Sequence, residues 1–338
     1  MFFQCPKCKR IWQHPIKTCP FCIVPVEKMV SEKARVISVS RTNITSIQHP
    51  KSPFFVLLLE DENGNKWIQK SKKEYRPGEE LILKPDKNAV ALWRIKYDAL
   101  EAIEKLIFLL GGLELGPETK ALVLPTLDSP KHPYFSENTN PKFLDALLDF
   151  LMSRGVKNIK VVGQSFDEIP IEASVQKSQL LEVCQRRGVL PFDLAKGSFI
   201  KKQSGLEISS QVFENDLIIN LPILKSGRAS ASENLLKLLK KESYLGSKYL
   251  SSDQELIEKL IRDLPGILTL ADAEFIQKPN RFTTFLGLVM AGFNVLHLDR
   301  AFNEIVSELP EFLKNIQIDD VIIVGRELDE VKCKINDF

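Results

Sequence analysis

Asn215-Asp-Leu-Ile-Ile-Asn-Leu-Pro-Ile-Leu-Lys-Ser-Gly-Arg-Ala-Ser-Ala-Ser-Glu-Asn234 runs from an apolar segment, through a polar turn, into the start of a helix. Residues 216–220 form a short apolar run bounded by Asn215 and Pro222, which predicts a strand buried on both faces. Gly227 gives the turn backbone freedom, and Ser230 or Ser232 can cap the helix over residues 232–241. The same alternation surrounds this stretch. Apolar runs at 121–124, 159–162, 267–270 and 321–324 predict strands, and helical periodicity covers 141–154, 176–187 and 254–264. Strands alternating with helices predict an α/β domain over residues 119–338 with a mostly parallel sheet. Such sheets bind ligands beyond the carboxyl ends of their strands. Asn220 and Lys225 are therefore candidate ligand-binding residues, with Arg228 beside them at a helix start suited to an anion. The plain alternative is a solvated loop with an ordinary Ser cap.

Upstream, residues 98–110 carry Leu100, Ile103, Leu106, Ile107 and Leu110 at helical spacing, and Gly111-Gly112 ends the helix. Residues 98–118 read as a helical connector. Before it, residues 34–40, 54–60, 66–70 and 80–83 read as short strands, with a turn at Asp61-Glu-Asn-Gly64. Regular short strands over 29–97 predict a small OB-like β-barrel, residues 84–95 supplying its last strand.

The first 28 residues hold Cys5-Pro-Lys-Cys8 and Cys19-Pro-Phe-Cys22. Each Cys-x-x-Cys turn aims two thiolates at one point, and two such turns complete a tetrahedral shell with no open position. This predicts one structural zinc on Cys5, Cys8, Cys19 and Cys22, in a ribbon over 1–28 that cannot build a core alone. Iron is the rival metal, and His14 reads as a surface residue. The other cysteines, Cys184 and Cys333, stand alone, and Cys184 reads as a small buried hydrophobe.

The chain of 338 residues has a net charge of only +2, but unevenly spread. Residues 1–97 hold 18 Lys and Arg against 9 Asp and Glu, a charge of +9, while the rest hold 28 against 35, a charge of −7. The basic front end suits phosphate, nucleic acid, a phosphorylated cofactor or an acidic protein face, or simply the acidic back half. Trp67, Tyr75 and Trp93, with Lys66, Lys70, Lys72, Lys73 and Arg94, are candidate stacking rings in a basic groove, against the alternative that the tryptophans are core. No secretory signal opens the chain, and its longest apolar runs are too short for a membrane span, so a cytoplasmic protein is expected.

The four cysteines, Arg35-Val-Ile-Ser-Val39, Ser52-Pro-Phe-Phe-Val-Leu-Leu-Leu-Glu60 and Arg76-Pro-Gly78 together resemble the ribbon-plus-OB family known as domain of unknown function 35. That resemblance spans residues 1–95 and implies an accessory or bridging role toward acyl-CoA and thiolase-type enzymes. From residue 119 onward the chain resembles a diverged member of domain-of-unknown-function family 362. The residues that carry this are Thr139-Asn-Pro141, Ile219-Asn-Leu-Pro-Ile-Leu-Lys225, Glu233-Asn234, Leu270-Ala-Asp272 and Asn294-Val-Leu-His-Leu-Asp299. It departs from the family pattern at Leu124-Pro-Thr126, where Lys-Pro-Asn is expected, and lacks the glycine after Asp272 and a lysine before Asn234. No cluster of four cysteines accompanies this domain, although some relatives carry iron–sulfur motifs. The resemblance adds Asn234, Asp272 and Asp299 to Asn220 and Lys225 as candidate ligand-binding residues.

His132 reads as a loop residue and His297 as a satisfied core residue, and no Ser-His-Asp order, P-loop or Gly-x-Gly-x-x-Gly occurs. The expected protein is thus a zinc ribbon and barrel that recruit a partner or phosphorylated ligand, fused to an α/β domain that binds an anionic small molecule. One alternative is an enzyme using Lys225 as electrostatic stabiliser and Asp272 or Asp299 as acid–base or metal-binding groups. Another is a nucleic-acid binder acting through the basic barrel.

Overall fold

A computed structural model describes residues 2–12, 16–29, 31, 33–43, 54–71, 74–82, 88–95, 98–278 and 282–332. His14, Lys72, Lys73 and Cys333 lie outside the described residues, as does the side chain of Lys70. The chain forms two compact units, Met1–Pro85 and Asp86–Phe338.

In the first unit, β1 (Phe2–Gln4), β2 (Ile11–Trp12) and β3 (Glu27–Met29) form a three-stranded antiparallel sheet. Then β4 (Lys33–Thr42), β5 (Phe54–Asp61), β6 (Lys66–Ser71) and β7 (Glu80–Ile82) form an antiparallel sheet in the order β6-β5-β4-β7. Alternation decides its core, with Leu57 and Leu59 turning inward beside Ala34 and Val36. The turn after β5 is held by Asp61, whose carboxylate accepts from the backbone N–H groups of Asn63 and Asn65 at 2.9 and 2.7 Å. Gly64, at φ +79°, supplies the left-handed residue that turn needs. Trp67 is half-buried against this core and meets Phe2 edge-on at 5.3 Å, so it packs rather than waiting for a base.

The second unit begins with β8 (Val90–Arg94) and α1 (Ala99–Leu109). After β9 (Lys120–Pro125) come α2 (Pro141–Ser153), β10 (Asn158–Gly163), α3 (Ile171–Lys177), α4 (Leu180–Arg186) and β11 (Pro191–Asp193). A two-stranded ribbon, β12 (Phe199–Lys201) and β13 (Glu207–Ser209), precedes β14 (Leu217–Leu221) and β15 (Ile223–Lys225). Three helices follow: α5 (Ser230–Leu235), α6 (Lys241–Ser247) and α7 (Asp253–Asp263). The last described elements are β16 (Ile267–Gln277), β17 (Thr283–Gly292), α8 (Val295–Ile305), β18 (Ile323–Gly325) and α9 (Leu328–Val331). The sheet order is β11-β10-β9-β14-β16-β17-β8-β18, with β15 beside β16. All pairings are parallel except β16 with β17 and β17 with β8. One face packs on α1 to α4 through residues such as Val123, Ile219, Leu268 and Leu270. The other packs on α5 to α8 through Leu122, Leu124, Ile218 and Ala271.

Four sequence expectations need correction. Val90–Arg94 does not close the barrel; its Val90, Ala91 and Leu92 are fully buried, and β8 sits between β17 and β18 of the large sheet. Trp93 is therefore not a barrel residue, and α1 is not a free connector, because Ala102, Ile103, Leu106 and Ile107 bury against the same sheet. The helix expected over 176–187 is two helices, broken where Gln179 takes φ +63°. The helix expected over 232–241 starts at Ser230 and leaves α-geometry after Leu235, passing through a 3₁₀ turn.

Candidate functional site

The strands β9 and β14 run parallel and end together at Pro125 and Leu221. Beyond that edge the backbone groups lose their ladder partners, and side chains replace them. Thr139 donates to the carbonyl of Leu221 at 2.6 Å and accepts from the Thr126 N–H at 2.8 Å. Asn234, on α5, donates to the Leu124 carbonyl at 3.1 Å and to the Asn220 side chain at 2.8 Å, and accepts from the Thr126 hydroxyl at 3.1 Å. Asn220 in turn donates to the Ala231 carbonyl at 2.8 Å. Both asparagines are buried, so this lattice ties two strand ends to one helix.

The N-terminus of α5 is capped from outside. Neither Ser230 nor Ser232 makes the expected cap; instead Asp299, on α8, accepts from the N–H groups of Ala231 and Ser232 at 3.0 and 2.8 Å and from the Ser232 hydroxyl at 2.6 Å. Burial pushes the Asp299 carboxyl up to about 7, against the pull of those three donors. Asp299 is wholly buried, and its carboxylate holds the N-terminus of α5.

This scaffold shapes a cleft of about 310 Å³. Thr126, Lys225, Ser230 and Asn234 line one side, and Phe166 and Tyr244, stacked at 4.4 Å between ring centres, line another. Lys225 pairs with Asp128 at 2.7 Å, Arg228 with Glu233, and Lys248 with Asp253 at 3.6 Å. Lys237 reaches Asp128 only at 4.0 Å and lies 4.6 Å from the ring centre of Phe166. Burial pushes the Lys237 ammonium down, partly offset by Asp128. The cleft thus gathers four cations and three carboxylates, and two lysines share one aspartate.

Asp272 lies elsewhere. Along β16, Ala271 and Ala273 point to the face of α5 to α8, so Asp272 points with Leu268 and Leu270 to the other face. Asn220, beside Ile219 and Leu221, points with Ala271, opposite to Asp272. Asp272 lines a separate cavity, with Ile223 bordering both. As neighbours along one sheet edge, Asn220, Lys225 and Asp272 would be expected to face a common pocket; they do not, so Lys225 and Asp272 do not form one catalytic pair. Asp128 and Lys237 went unnoticed in the sequence because each reaches the cleft from its own loop or turn, with no motif around it.

Two other readings can be placed. His132 is an exposed loop residue whose ring accepts from the Tyr134 N–H at 3.2 Å. Cys184 is fully buried, and burial pushes its thiol up to about 11, as suits an inert core residue.

In the first unit, the sulfurs of Cys5, Cys8, Cys19 and Cys22 lie within 4.8 Å of one another and could hold a metal ion. Two matching turns create the cluster. The Lys9 N–H donates to the Cys5 carbonyl and the Ile23 N–H to the Cys19 carbonyl, each at 2.9 Å. Lys9 and Ile23 take φ +59° and +54°, so each turn reverses at the fourth residue after its first cysteine. The Cys8 and Cys19 sulfurs are 3.8 Å apart, matching the edge of about 3.8 Å in a tetrahedron of thiolates about 2.3 Å from zinc.

Comparison with known proteins matches residues 122–231 to the family described as "Domain of unknown function (DUF362)". The match covers Asn220 and Lys225 and stops short of Asn234, Asp272 and Asp299. Among solved structures, one described as "Ltp2-ChsH2(DUF35) aldolase" is similar, at 16% identity and a TM-score of 0.20, over 29% of this chain and 74% of that one. No curated protein matches. Among the described residues, no helix is long and apolar enough to cross a membrane.

Proposed function

We propose that the α/β unit binds a small anionic molecule in the cleft at the carboxyl edge of its sheet. The observation that carries this is the sharing of one carboxylate, Asp128, by two largely buried lysines, Lys225 and Lys237. A buried ammonium without full compensation is costly, and an incoming anion would supply the missing charge. Asn220, Asn234 and Asp299 serve this site as positioning residues: they fix α5 against the strand ends and so fix the loop that carries Lys225. The aromatic wall of Phe166 and Tyr244 gives room for a flat organic portion of the ligand.

The N-terminal unit, in this reading, is a zinc ribbon joined to an OB-type module. Zinc fits the all-thiolate donor set and would be structural, because four cysteines leave no position for substrate. The module's role is to recruit a partner or a phosphorylated ligand, supported by its excess of basic residues. We read the whole as a cytoplasmic binding protein.

Calorimetric titration of the full chain with inorganic pyrophosphate and with citrate tests the cleft. Lys237→Ala should weaken binding about tenfold or more, whereas Asp128→Asn should strengthen it by freeing both lysines. Equal affinity in all three proteins would remove the proposal.

A further inference from the structure

The cavity that holds Asp272 has a different chemistry from the lysine cleft. It encloses about 330 Å³, and Tyr134, Phe275 and Phe285 form its aromatic walls. Those rings remain 78%, 43% and 63% exposed, although a core role would bury them. Phe275 and Phe285 meet edge to face at 5.2 Å, and both keep part of their surface open to solvent. At the base lies the Asp272 carboxyl, only 2% exposed.

The neighbouring polar groups are already engaged by their own loop. Asn138 accepts from the N–H groups of Asp128 and Ser129 and donates to the carbonyls of Ser129 and Lys131. Asn140 caps α2 through its side-chain oxygen and donates to Glu274 at 3.3 Å. Asp272 differs. It accepts from the backbone N–H of Glu274 at 2.9 Å and from that of Asn140, which leaves acceptor sites on a group that has about four. Among the described residues no lysine or arginine pairs with it, and the charge that acts on it is the like charge of Glu274.

A buried carboxyl without a cation, beneath aromatic faces that carry partial negative charge, is complementary to a positively charged organic group. We infer that this cavity binds an organic ammonium ion, whose nitrogen meets the Asp272 carboxylate and whose alkyl carbons lie against Tyr134, Phe275 and Phe285. A neutral apolar ligand would use the rings but gain nothing from Asp272. A divalent metal would use the carboxylate but find no ring of oxygen ligands, because Asn138 and Asn140 are committed elsewhere.

The test is titration of the full chain with butylammonium, 1-pentanol as its neutral counterpart, and magnesium, followed by NMR or calorimetry. Butylammonium should saturate one site, with pentanol at least about tenfold weaker and magnesium not competing. Asp272→Asn should cost about tenfold in butylammonium affinity without lowering the unfolding temperature, and Phe285→Ala, at an exposed ring, should cost severalfold. Pentanol binding as tightly as butylammonium, unchanged affinity in Asp272→Asn, competition by magnesium, or no saturation at tens of millimolar butylammonium would each overturn the assignment.

Discussion

The side-chain amide of Asn234 donates to the side-chain carbonyl of Asn220 at 2.8 Å, in a lattice that reaches from α5 to the ends of two parallel strands. Removing one member strands the others in a dry interior. Asn220→Leu leaves the second donor of Asn234 unpaired and removes the bond to the Ala231 carbonyl. It should cost about 2–4 kcal/mol in chemical denaturation, more than a surface substitution. A loss below about 0.5 kcal/mol would mean that water already serves this site.

Asp299→Ala removes three hydrogen bonds and, among the described residues, the only side-chain cap on the N-terminus of α5. We expect a loss of about 2–4 kcal/mol, with Asn at the same position recovering part of it. Urea unfolding of the two variants measures this, and equal stability of Ala and Asn would refute the capping role.

Asp272 should show its opposite character through pH. Its carboxyl is pushed up to about 7 by burial, while the same group titrates near 3.8 when the chain unfolds. Between those values the folded protein holds the extra proton, so stability falls as pH rises from about 4 to about 7 and is level above. The lost contribution is at most roughly 4 kcal/mol. Asp299 adds a slope of the same sign, so the informative quantity is the difference between wild type and Asp272→Asn. The Asn protein should fall less across that range and be the more stable of the two at pH 8. The charges set against Asp272 are few: Glu274 on its own strand acts directly, and Glu137, beside the cavity, is tied to Lys131.

Metal removal concerns the first unit alone. Elemental analysis should find one zinc per chain, and Cys5→Ser combined with Cys19→Ser should release it and unfold residues 1–28. Stoichiometric zinc in that double variant would contradict the four-thiolate site.

Gly325 takes φ +93°, and a Cβ there would fall 2.5 Å from the Leu92 carbonyl oxygen. Backbone cannot move aside as a side-chain tip can, so Gly325→Ala should lower stability by about 2 kcal/mol or more. A neutral result in thermal unfolding would mean that β18 does not sit against β8 as described.

The sequence was most legible where one rule acts alone. The cysteine turns, the turn at Gly64 and the apolar strands of the second unit follow from spacing and periodicity, and all are present. Legibility failed where distant residues decide the outcome. Val90–Arg94 reads as one more short strand after four others, and only its partners Leu288 to Gly292, almost 200 residues away, draw it into the large sheet. Ser230 and Ser232 look like caps, but Asp299 takes the role because α8 packs on α5. Asp272 and Lys225 seemed to share an edge, yet a strand's alternation sends Asp272 to the face away from Asn220.

The neighbours of β8 in the sheet also bear on how this protein is made. Both β17 and β18 lie beyond residue 282, whereas β8 is complete before residue 100. During synthesis, therefore, an apolar strand waits unpaired until almost 200 further residues have been made. Pairing so distant in sequence is slow, because the long intervening loop must be closed before any contact rewards it. Chains halted short of residue 283 would carry that strand with neither of its partners, and would be substrates for chaperones rather than folded fragments.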